Sequence, residues 1–425
     1  MLRILHLADI HLGGGLLHGR LNPLTGRNTR LEDFITALNR CIDQALSEPV
    51  DLVLFGGDAF PTATPEPAHQ EEFARQFMRL AQAQIPVVFL VGNHDQYNRG
   101  GGGASLNIYT ALEVPGFIVG STLTTHRIST RAGVVQVVTL PWLHRSAFLT
   151  KEATRGLTLE EVDQLMVERL RVILEGEARK LDPELPTILM AHVMVETATW
   201  GVERNLAVGR GFTVPVDLLA RPEFSYVALG HVHRHQFLHL DPPVVYSGSI
   251  ERVDFSEEKE EKGFMRVDLV KEGSYRAECR FVPLPARPFC TVKIDASTSE
   301  HPQETILAAL RRVKVTDAVV RVIYQIHAHQ NDSLDLAPIR QALEPAFSYQ
   351  LVPQMTSQLA QPRIPTLGES ATLDPMAALH QYLDNQDHLK ALKDDLLKAA
   401  CTLMDDSTDL TLDQQPPRPG QLRLL

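Results

Sequence analysis

Residues 87–95 read VVFLVGNHD, an apolar run followed at once by Gly92, Asn93, His94 and Asp95. The apolar run predicts a buried β-strand, because a short continuous hydrophobic segment bounded by a turn signal is typical of a strand covered on both faces. The polar residues then lie at the carboxyl end of that strand. Polar side chains are costly to bury there without partners, so the pattern indicates a functional site.

The same arrangement, an apolar strand ending in polar residues, recurs elsewhere in the chain. It occurs in residues 3–11 (Asp9, His11), 52–58 (Asp58), 187–192 (His192) and 226–233 (His231, His233). Residues 134–139 and 244–246 predict further strands, and residues 29–46 and 158–181 carry the spacing of amphipathic helices. This alternation predicts an α/β fold, in which one sheet would bring the strand ends together.

The seven collected side chains are two carboxylates, one amide and four imidazoles, without a thiolate. Such a mixed nitrogen and oxygen set favours manganese, iron or zinc over a soft ion. Asp58 is the natural bridging carboxylate, since two ions need a shared anionic donor to come within roughly 3.5–4 Å of each other. Two divalent ions would leave the site net positive beside only two carboxylates. The sequence therefore predicts phosphoryl chemistry.

The composition is that of a soluble globular protein of two or three domains, with 425 residues, 22% of them charged and 44% hydrophobic. The four cysteines show no CxxC spacing, and no apolar run is long enough to span a bilayer. We therefore expect a reduced, cytoplasmic protein without membrane association. The net charge of −11 argues against strong DNA binding by the chain alone. A local basic groove and DNA held jointly with a partner both remain open.

In their order along the chain, the five motifs resemble those of the calcineurin-like metallophosphoesterases. Longer stretches are similar to the SbcD family of DNA repair exonucleases, the nuclease subunits of the SbcC–SbcD complex. These stretches are GRNTRLEDF (26–34), VGRGFTVPVDLLARPEFSYVALGHVHRHQ (208–236) and YSGSIERVDFSEE (246–258). The resemblance extends from the N-terminus to about Phe264.

The resemblance implies an α/β layered metallophosphoesterase sandwich of two mixed β-sheets flanked by helices. It implies 3′–5′ exonuclease activity on double-stranded DNA and endonuclease activity on single strands. The implied cofactors are two divalent ions, with Mn²⁺ favoured and Mg²⁺, Fe²⁺ or Zn²⁺ as alternatives. The implied partners are DNA ends and an SbcC-type coiled-coil ATPase, with the chain as a homodimer within a heterotetramer.

The resemblance also implies roles for individual residues. One ion would be held by Asp9, His11, Asp58 and His233, and the other by Asp58, Asn93, His192 and His231. His94 would face the scissile phosphate as a catalytic residue rather than a ligand, and Asp95 could orient it. The chain departs from the pattern at Pro61, where relatives often have Asp or His, so support for His94 must come from elsewhere.

Two polar segments near the site are open to more than one interpretation. Asn98 and Arg99 precede the run of glycines at 100–103, and we expect both to contact substrate. The glycine run itself is either a substrate loop or a tolerated insertion. The charged run EEKEEK at 257–262 is expected to be a solvated turn.

Composition changes predict four regions. Residues 1–282 form the metallophosphoesterase nuclease domain, 283–356 a small α+β capping domain, 357–404 a linker and C-terminal partner-binding helices, and 405–425 a disordered tail. The helical stripe that includes Leu389, Leu392 and Leu396 either packs on the chain's own core or binds a partner.

Two other functions remain open at this stage. A stand-alone phosphodiesterase of small nucleotides would use the same site but would not need so long a C-terminal extension. A metal-bound, non-catalytic docking scaffold would not need His94.

Overall fold

The computed structural model describes residues 1–97, 103–144, 149, 154–199, 201, 212–331, 334–356, 375–384 and 392–406. Two compact units are distinguished along the chain. The first comprises Met1–Ile294, Gln303–Tyr324 and Asp335–Val352, and the second comprises Asp295–Pro302, Gln325–Leu334 and Pro353–Leu425. All of the predicted metal ligands belong to the first unit.

The described ranges alternate strands and helices through most of the chain. The strands are β1 (Leu2–Leu7), β2 (Leu52–Phe55), β3 (Val87–Leu90), β4 (Phe117–Gly120), β5 (Thr124–Thr130), β6 (Gly133–Leu140), β7 (Thr187–His192), β8 (Met194–Val195), β9 (Thr213–Val214), β10 (Tyr226–Gly230), β11 (Gln236–Leu240), β12 (Pro243–Tyr246), β13 (Lys262–Glu272), β14 (Ser274–Leu284), β15 (Phe289–Asp295), β16 (Val319–His327) and β17 (Ser348–Thr356). The helices are α1 (Thr29–Ser47), α2 (Pro67–Gln82), α3 (Asn107–Ala111), α4 (Leu159–Ala178), α5 (Val216–Leu219), α6 (Pro302–Leu310), α7 (Ala328–Asn331), α8 (Leu336–Ala342), α9 (Pro375–Asp384) and α10 (Lys393–Asp406).

Two mixed six-stranded sheets form the framework of the first unit. The first sheet has the order β14-β13-β1-β2-β3-β4, with β1 to β4 parallel and β13 and β14 antiparallel at one edge. The second has the order β11-β12-β10-β7-β6-β5, with the four central strands parallel and both edge strands antiparallel. The predicted fold class, two mixed sheets flanked by helices, is confirmed.

Three apolar layers hold these elements together. The central layer lies between the sheets and takes side chains from both, among them Ile4, Leu54, Val88, Val137, Met190 and Ala228. The outer face of the first sheet packs against α1 and α2, and that of the second packs against α4. Because the central strands are covered on both faces, they are continuous apolar runs, which is why the sequence located them.

Helix α4 shows how a local signal sets an element boundary. Thr158 accepts a hydrogen bond from the backbone N–H of Glu161, and the Glu161 carboxylate accepts one from the backbone N–H of Thr158 at 2.7 Å. This capping box satisfies two N–H groups that the first turn of a helix leaves without partners. It begins the helix where the sequence predicted.

The C-terminal part contains a three-stranded sheet of order β15-β16-β17, followed along the chain by α9 and α10. Helix α10 continues to Asp406 and so includes the first two residues of the predicted tail, 405–425, and residues 407–425 lie outside the described ranges. The four-region division remains a prediction. None of the helices in the described ranges combines the length and hydrophobicity that crossing a bilayer requires.

Candidate metal centre

Five strand ends meet at one side of the two sheets and bring the seven predicted ligands together. They follow β1, β2 and β3 of the first sheet and β7 and β10 of the second. Six of the side chains are at most 8% exposed, and Asn93 is half-buried. The residues are Asp9, His11, Asp58, Asn93, His192, His231 and His233. Residues distant in sequence thus form one buried polar cluster.

The backbone at this cluster is held in an unusual conformation. Four of the seven residues have positive φ, with 52° at Asp9, 47° at His11, 57° at Asp58 and 100° at His231. Non-glycine residues rarely adopt this region, and where they do it is often at functional sites that the surrounding structure stabilises. Here the stabilisation comes from neighbouring loops, since the N–H of His231 donates to both carboxylate oxygens of Asp9 at 2.9 and 3.0 Å.

Two glycines of the motifs are required by close approach. A Cβ atom on Gly92 would lie 2.2 Å from Asp58 Oδ1, and one on Gly57 would lie 2.4 Å from His192 Nδ1. Gly57 also has a φ of +101°. Any larger residue at either position would displace a predicted ligand, which gives the glycines in GGD and GNHD a physical reason.

The first group of ligand atoms comprises Asp9, His11 and His233, whose donor atoms lie within 4.8 Å of one another. His11 Nε2 is 3.0 Å from His233 Nε2. The opposite ring nitrogen of His233, Nδ1, lies 2.8 Å from Glu257 Oε1. Because an ionised carboxylate only accepts, His233 carries its proton on Nδ1 and presents an Nε2 lone pair to His11 and the cluster.

The second group comprises Asp58, His192 and His231, joined by Asn93. Asn93 Oδ1 is 3.0 Å from His192 Nε2 and 2.9 Å from His231 Nδ1. Asp58 Oδ2 lies 3.4 Å from His192 Nε2 and 3.7 Å from His11 Nε2 of the first group. One carboxylate oxygen therefore stands between the two groups.

Burial shifts the pKa values of several side chains in the cluster, and only some of them have a partner of opposite charge. Burial raises the pKa of Asp9 to about 7 and lowers the pKa of His231 to about 3. Burial would also lower the pKa of His192, but the adjacent Asp58 carboxylate raises it to about 9. For Asp58, the neighbouring imidazoles outweigh burial and hold its pKa well below the usual value. Cations at these positions would relieve the same imbalance.

The donor set fits divalent metal ions. His192 Nδ1 lies 2.7 Å from the carbonyl oxygen of Gly56 and donates its proton there, so a metal ion would take the place of the second proton, which the raised pKa puts on Nε2 near Asp58. His231 presents its Nδ1 atom to the cluster, 2.9 Å from Asn93 Oδ1. Converging imidazole nitrogens and carboxylates without matching donors are what a metal site requires.

His94 lies at the edge of the cluster, with one ring nitrogen within 4.8 Å of donor atoms of His11 and Asp58, and it is held by the backbone. Its Nδ1 is 2.9 Å from the carbonyl oxygen of Pro61, and its ring centroid is 4.9 Å from that of His11. The support that the sequence left unexplained at Pro61 thus comes from Pro61 itself, through an atom that every residue has. This bond keeps the Nδ1 proton in place and leaves Nε2 available to a substrate.

Asp95 has contacts other than those expected for orienting His94. Its carboxylate accepts hydrogen bonds from the backbone N–H groups of Asp58 at 2.8 Å, Ala59 at 3.0 Å and Gly92 at 2.9 Å. No bond to the His94 ring is found within the described ranges. Asp95 therefore ties the GGD loop to the GNHD loop and fixes the positions of their ligands.

Two expectations about polar segments have different outcomes. Asn98 and Arg99 lie outside the described residues. The expectation that 257–262 is a solvated turn is wrong at both ends, because Glu257 is 2% and Lys262 1% exposed and their charged atoms lie 2.5 Å apart. Composition suggested exposure, but the ion pair satisfies both buried charges. The sequence did hold a sign that Glu257 has a specific role, because Glu257 lies within the stretch 246–258 that resembles the SbcD family.

Comparisons with known proteins agree with this geometry. Residues 2–235 match the family model described as calcineurin-like phosphoesterase. The chain is 30% identical over 337 residues to the SbcD subunit of the SbcCD nuclease of Rhodobacter capsulatus, covering 74% of this chain and 77% of that protein.

Solved structures with some likeness to this chain include two proteins of low sequence identity. A dimetal phosphatase from Danio rerio is 13% identical with a TM-score of 0.38, covering 66% of this chain and 98% of that one. A protein of Thermus thermophilus is 15% identical with a TM-score of 0.33, covering the same shares.

Proposed function

Since this chain belongs to the calcineurin-like phosphoesterase family and, within it, to the SbcD nuclease subunits, we propose that it is the nuclease subunit of an SbcC–SbcD-type complex. Family membership makes it a metal-dependent hydrolase of phosphodiester bonds. The proposal adds the substrate, which is the end of double-stranded DNA, together with 3′–5′ exonuclease and single-strand endonuclease activity.

The position of Asp58 carries the ligand assignment. Its Oδ2 atom lies 3.7 Å from His11 Nε2 and 3.4 Å from His192 Nε2, as a carboxylate shared by two ions would. We assign one ion to Asp9, His11, Asp58 and His233, and the other to Asp58, Asn93, His192 and His231. The mixed nitrogen and oxygen donors support Mn²⁺, with Mg²⁺, Fe²⁺ and Zn²⁺ as alternatives.

In the proposed hydrolysis, the metal ligands, Asp95 and His94 have separate roles. Two divalent ions would neutralise the phosphate charge and activate the attacking water. Asp95 holds the GGD and GNHD loops in register, so that their ligands keep their positions. His94, fixed through Nδ1 by Pro61, turns its other nitrogen to the scissile phosphate, where it stabilises the developing charge or protonates the leaving oxygen.

The acidic net charge of −11 supports the proposal that this chain binds DNA together with a partner subunit. A chain that binds DNA alone usually relies on an excess of Lys and Arg, which is absent here. An ATPase partner would supply the remaining DNA contacts, and we propose a homodimer of this chain within a heterotetramer, in the cytoplasm. Leu392 is 52% and Leu396 40% exposed, which supports the C-terminal helices as the partner-binding element.

The decisive experiment incubates the pure protein and Mn²⁺ with linear duplex DNA or with a cyclic dinucleotide, with EDTA as the control. Cleavage of the duplex alone supports the proposal, and DNA labelled at either end gives the polarity. Cleavage of the cyclic dinucleotide alone would establish the stand-alone phosphodiesterase. Metal binding without hydrolysis of either substrate would establish the docking scaffold.

A further inference from the structure

A cavity of about 540 Å³ lies beside the proposed metal centre, at the carboxyl ends of β3, β4 and β6. Its walls include Trp142, Tyr97, Leu123 and Val91, and polar edges come from Gln96 and Asn107. The volume is within the range of small-molecule sites, roughly 300–1,000 Å³. None of the residues that line this cavity is a proposed metal ligand or catalytic residue.

Trp142 connects the cavity to the metal centre. Its indole lines the cavity, and its ring centroid lies 4.8 Å from that of His231 and 6.2 Å from that of His192. Two backbone contacts fix it, since its N–H donates to the Val91 carbonyl at 3.0 Å and its carbonyl accepts from Gln96 Nε2 at 2.9 Å. A group in the cavity would therefore lie next to a phosphate at the ions.

The side chains that line the cavity indicate which chemical class of group could bind there. Within the described residues the lining contains no Lys, Arg, Asp or Glu, and burial lowers the pKa of its histidine, His144, so these walls carry no charge to pair with a phosphate or another ion. Aromatic and aliphatic walls with a few amide and hydroxyl edges suit a flat, uncharged, hydrogen-bonding ring. Every nucleobase has such a ring, and its π-face stacks on aromatic side chains with little dependence on sequence.

We propose that this cavity receives a nucleobase flanking the scissile phosphate, unpaired from its complement while its phosphate lies at the metal centre. The inference rests on the proposed nuclease function. A base inside a duplex stack cannot enter a cavity of this kind, so the substrate must open locally at a cost of a few kcal/mol. That cost is lowest at DNA ends, where the terminal pair is flanked on one side only.

Two variants test the cavity without touching a proposed ligand. Tyr97→Ala removes an aromatic wall, since Tyr97 is 47% exposed, and Leu123→Trp fills the space. Tyr349→Ala, at a tyrosine that is 40% exposed and does not line the cavity, is the matched control. The thermal midpoint of each variant checks its folding. The substrates are duplexes with an intact base or an abasic site on either side of the cleaved bond.

Both cavity variants should raise KM for the intact duplex by roughly 5- to 150-fold, the loss expected for one stacked base. On one of the two abasic duplexes they should behave like the unmodified protein, because no base remains to be bound. Equal effects on intact and abasic duplexes, or no effect on either, would overturn the inference while leaving the nuclease function in place. Failure of the unmodified protein to cleave any duplex would instead refute the proposed function.

Discussion

His233 and Glu257 are joined by a hydrogen bond of 2.8 Å between Nδ1 and Oε1, and Lys262 Nζ lies 2.5 Å from the other oxygen of Glu257. Burial alone would raise the pKa of Glu257, but Lys262, and after it His233, holds that pKa well below its usual value. Glu257 therefore stays ionised and accepts the His233 proton. A carboxylate behind a histidine ligand fixes its tautomer and ring orientation.

The first prediction concerns this carboxylate. Glu257→Gln keeps the size of the side chain but removes its charge, so His233 should lose its preference for the Nδ1 proton. We expect Mn²⁺ affinity at one of the two sites to fall about 10- to 100-fold, the usual cost of losing such a partner. Calorimetric titration with Mn²⁺, followed by electron paramagnetic resonance, measures the two sites separately.

The control for this measurement is Glu261→Gln, in the same charged run but exposed to solvent. It should titrate like the unmodified protein. If Glu257→Gln also titrates like the unmodified protein, the carboxylate has no influence on the metal centre and its role is only to satisfy Lys262.

The second prediction concerns the bridging carboxylate. Asp58→Ala should lower the occupancy of both ions together and abolish activity, because its Oδ2 atom lies between the two groups. Asp9→Ala should weaken chiefly one ion, since Asp9 groups with His11 and His233. Anomalous scattering at the manganese edge reports each position. Two full peaks in the Asp58 variant would refute the bridging assignment.

The third prediction separates catalysis from metal binding. His94→Gln should keep both ions but lower kcat by about 10²- to 10⁴-fold, the usual loss of a positioned acid or charge stabiliser. Pro61→Ala is the companion variant, and it should retain most activity because the acceptor for His94 is a backbone carbonyl. Elemental analysis of the His94 variant decides the matter, since loss of metal would make His94 a ligand.

The fourth prediction concerns a glycine. Gly92→Ala places a Cβ atom 2.2 Å from Asp58 Oδ1 and 2.6 Å from its backbone nitrogen, so Asp58 must move. We expect loss of both ions and destabilisation by about 1–3 kcal/mol, as for other overpacked positions. Gly176→Ala, in α4 with no atom near the new Cβ, should instead stabilise the protein by about 0.5–1 kcal/mol. Equal melting temperatures and full metal content in the Gly92 variant would contradict the steric argument.

The clustering of the seven proposed ligand residues could be predicted because each lies at the end of an apolar run that predicts a buried strand, and strand ends in α/β sheets meet. The edge strands β5, β11 and β14, and β13 next to β14, were not found. Their side chains alternate between exposed and buried positions or contain charges, which gives a weaker signal than a continuous apolar run.

The supporting contacts of the site were predicted least well. Pro61 holds His94 through its carbonyl oxygen, which the identity of the residue does not reveal. Glu257 and Lys262 stand in a charged run whose composition is typical of solvent exposure, and only their pairing in three dimensions makes burial tolerable. Asp tolerates positive φ better than most residues, but residue type alone does not reveal that Asp9 and Asp58 adopt it.

The last prediction concerns the end of the chain. Helices α9 and α10 contact each other, and Leu383 is 2% exposed, whereas Leu392 and Leu396 keep 52% and 40% of their surface exposed. Helices this short are marginal alone, so an uncovered apolar stripe needs another surface. Truncation after Gln361 should preserve metal binding and Mn²⁺-dependent cleavage of small phosphodiesters, yet abolish association with an SbcC-type subunit. Leu392→Glu with Leu396→Glu in the full chain should weaken that association without changing the fold. Undiminished co-purification of the truncated chain would place the docking surface elsewhere, and collapse of the nuclease domain would show that the stripe packs on the chain's own core.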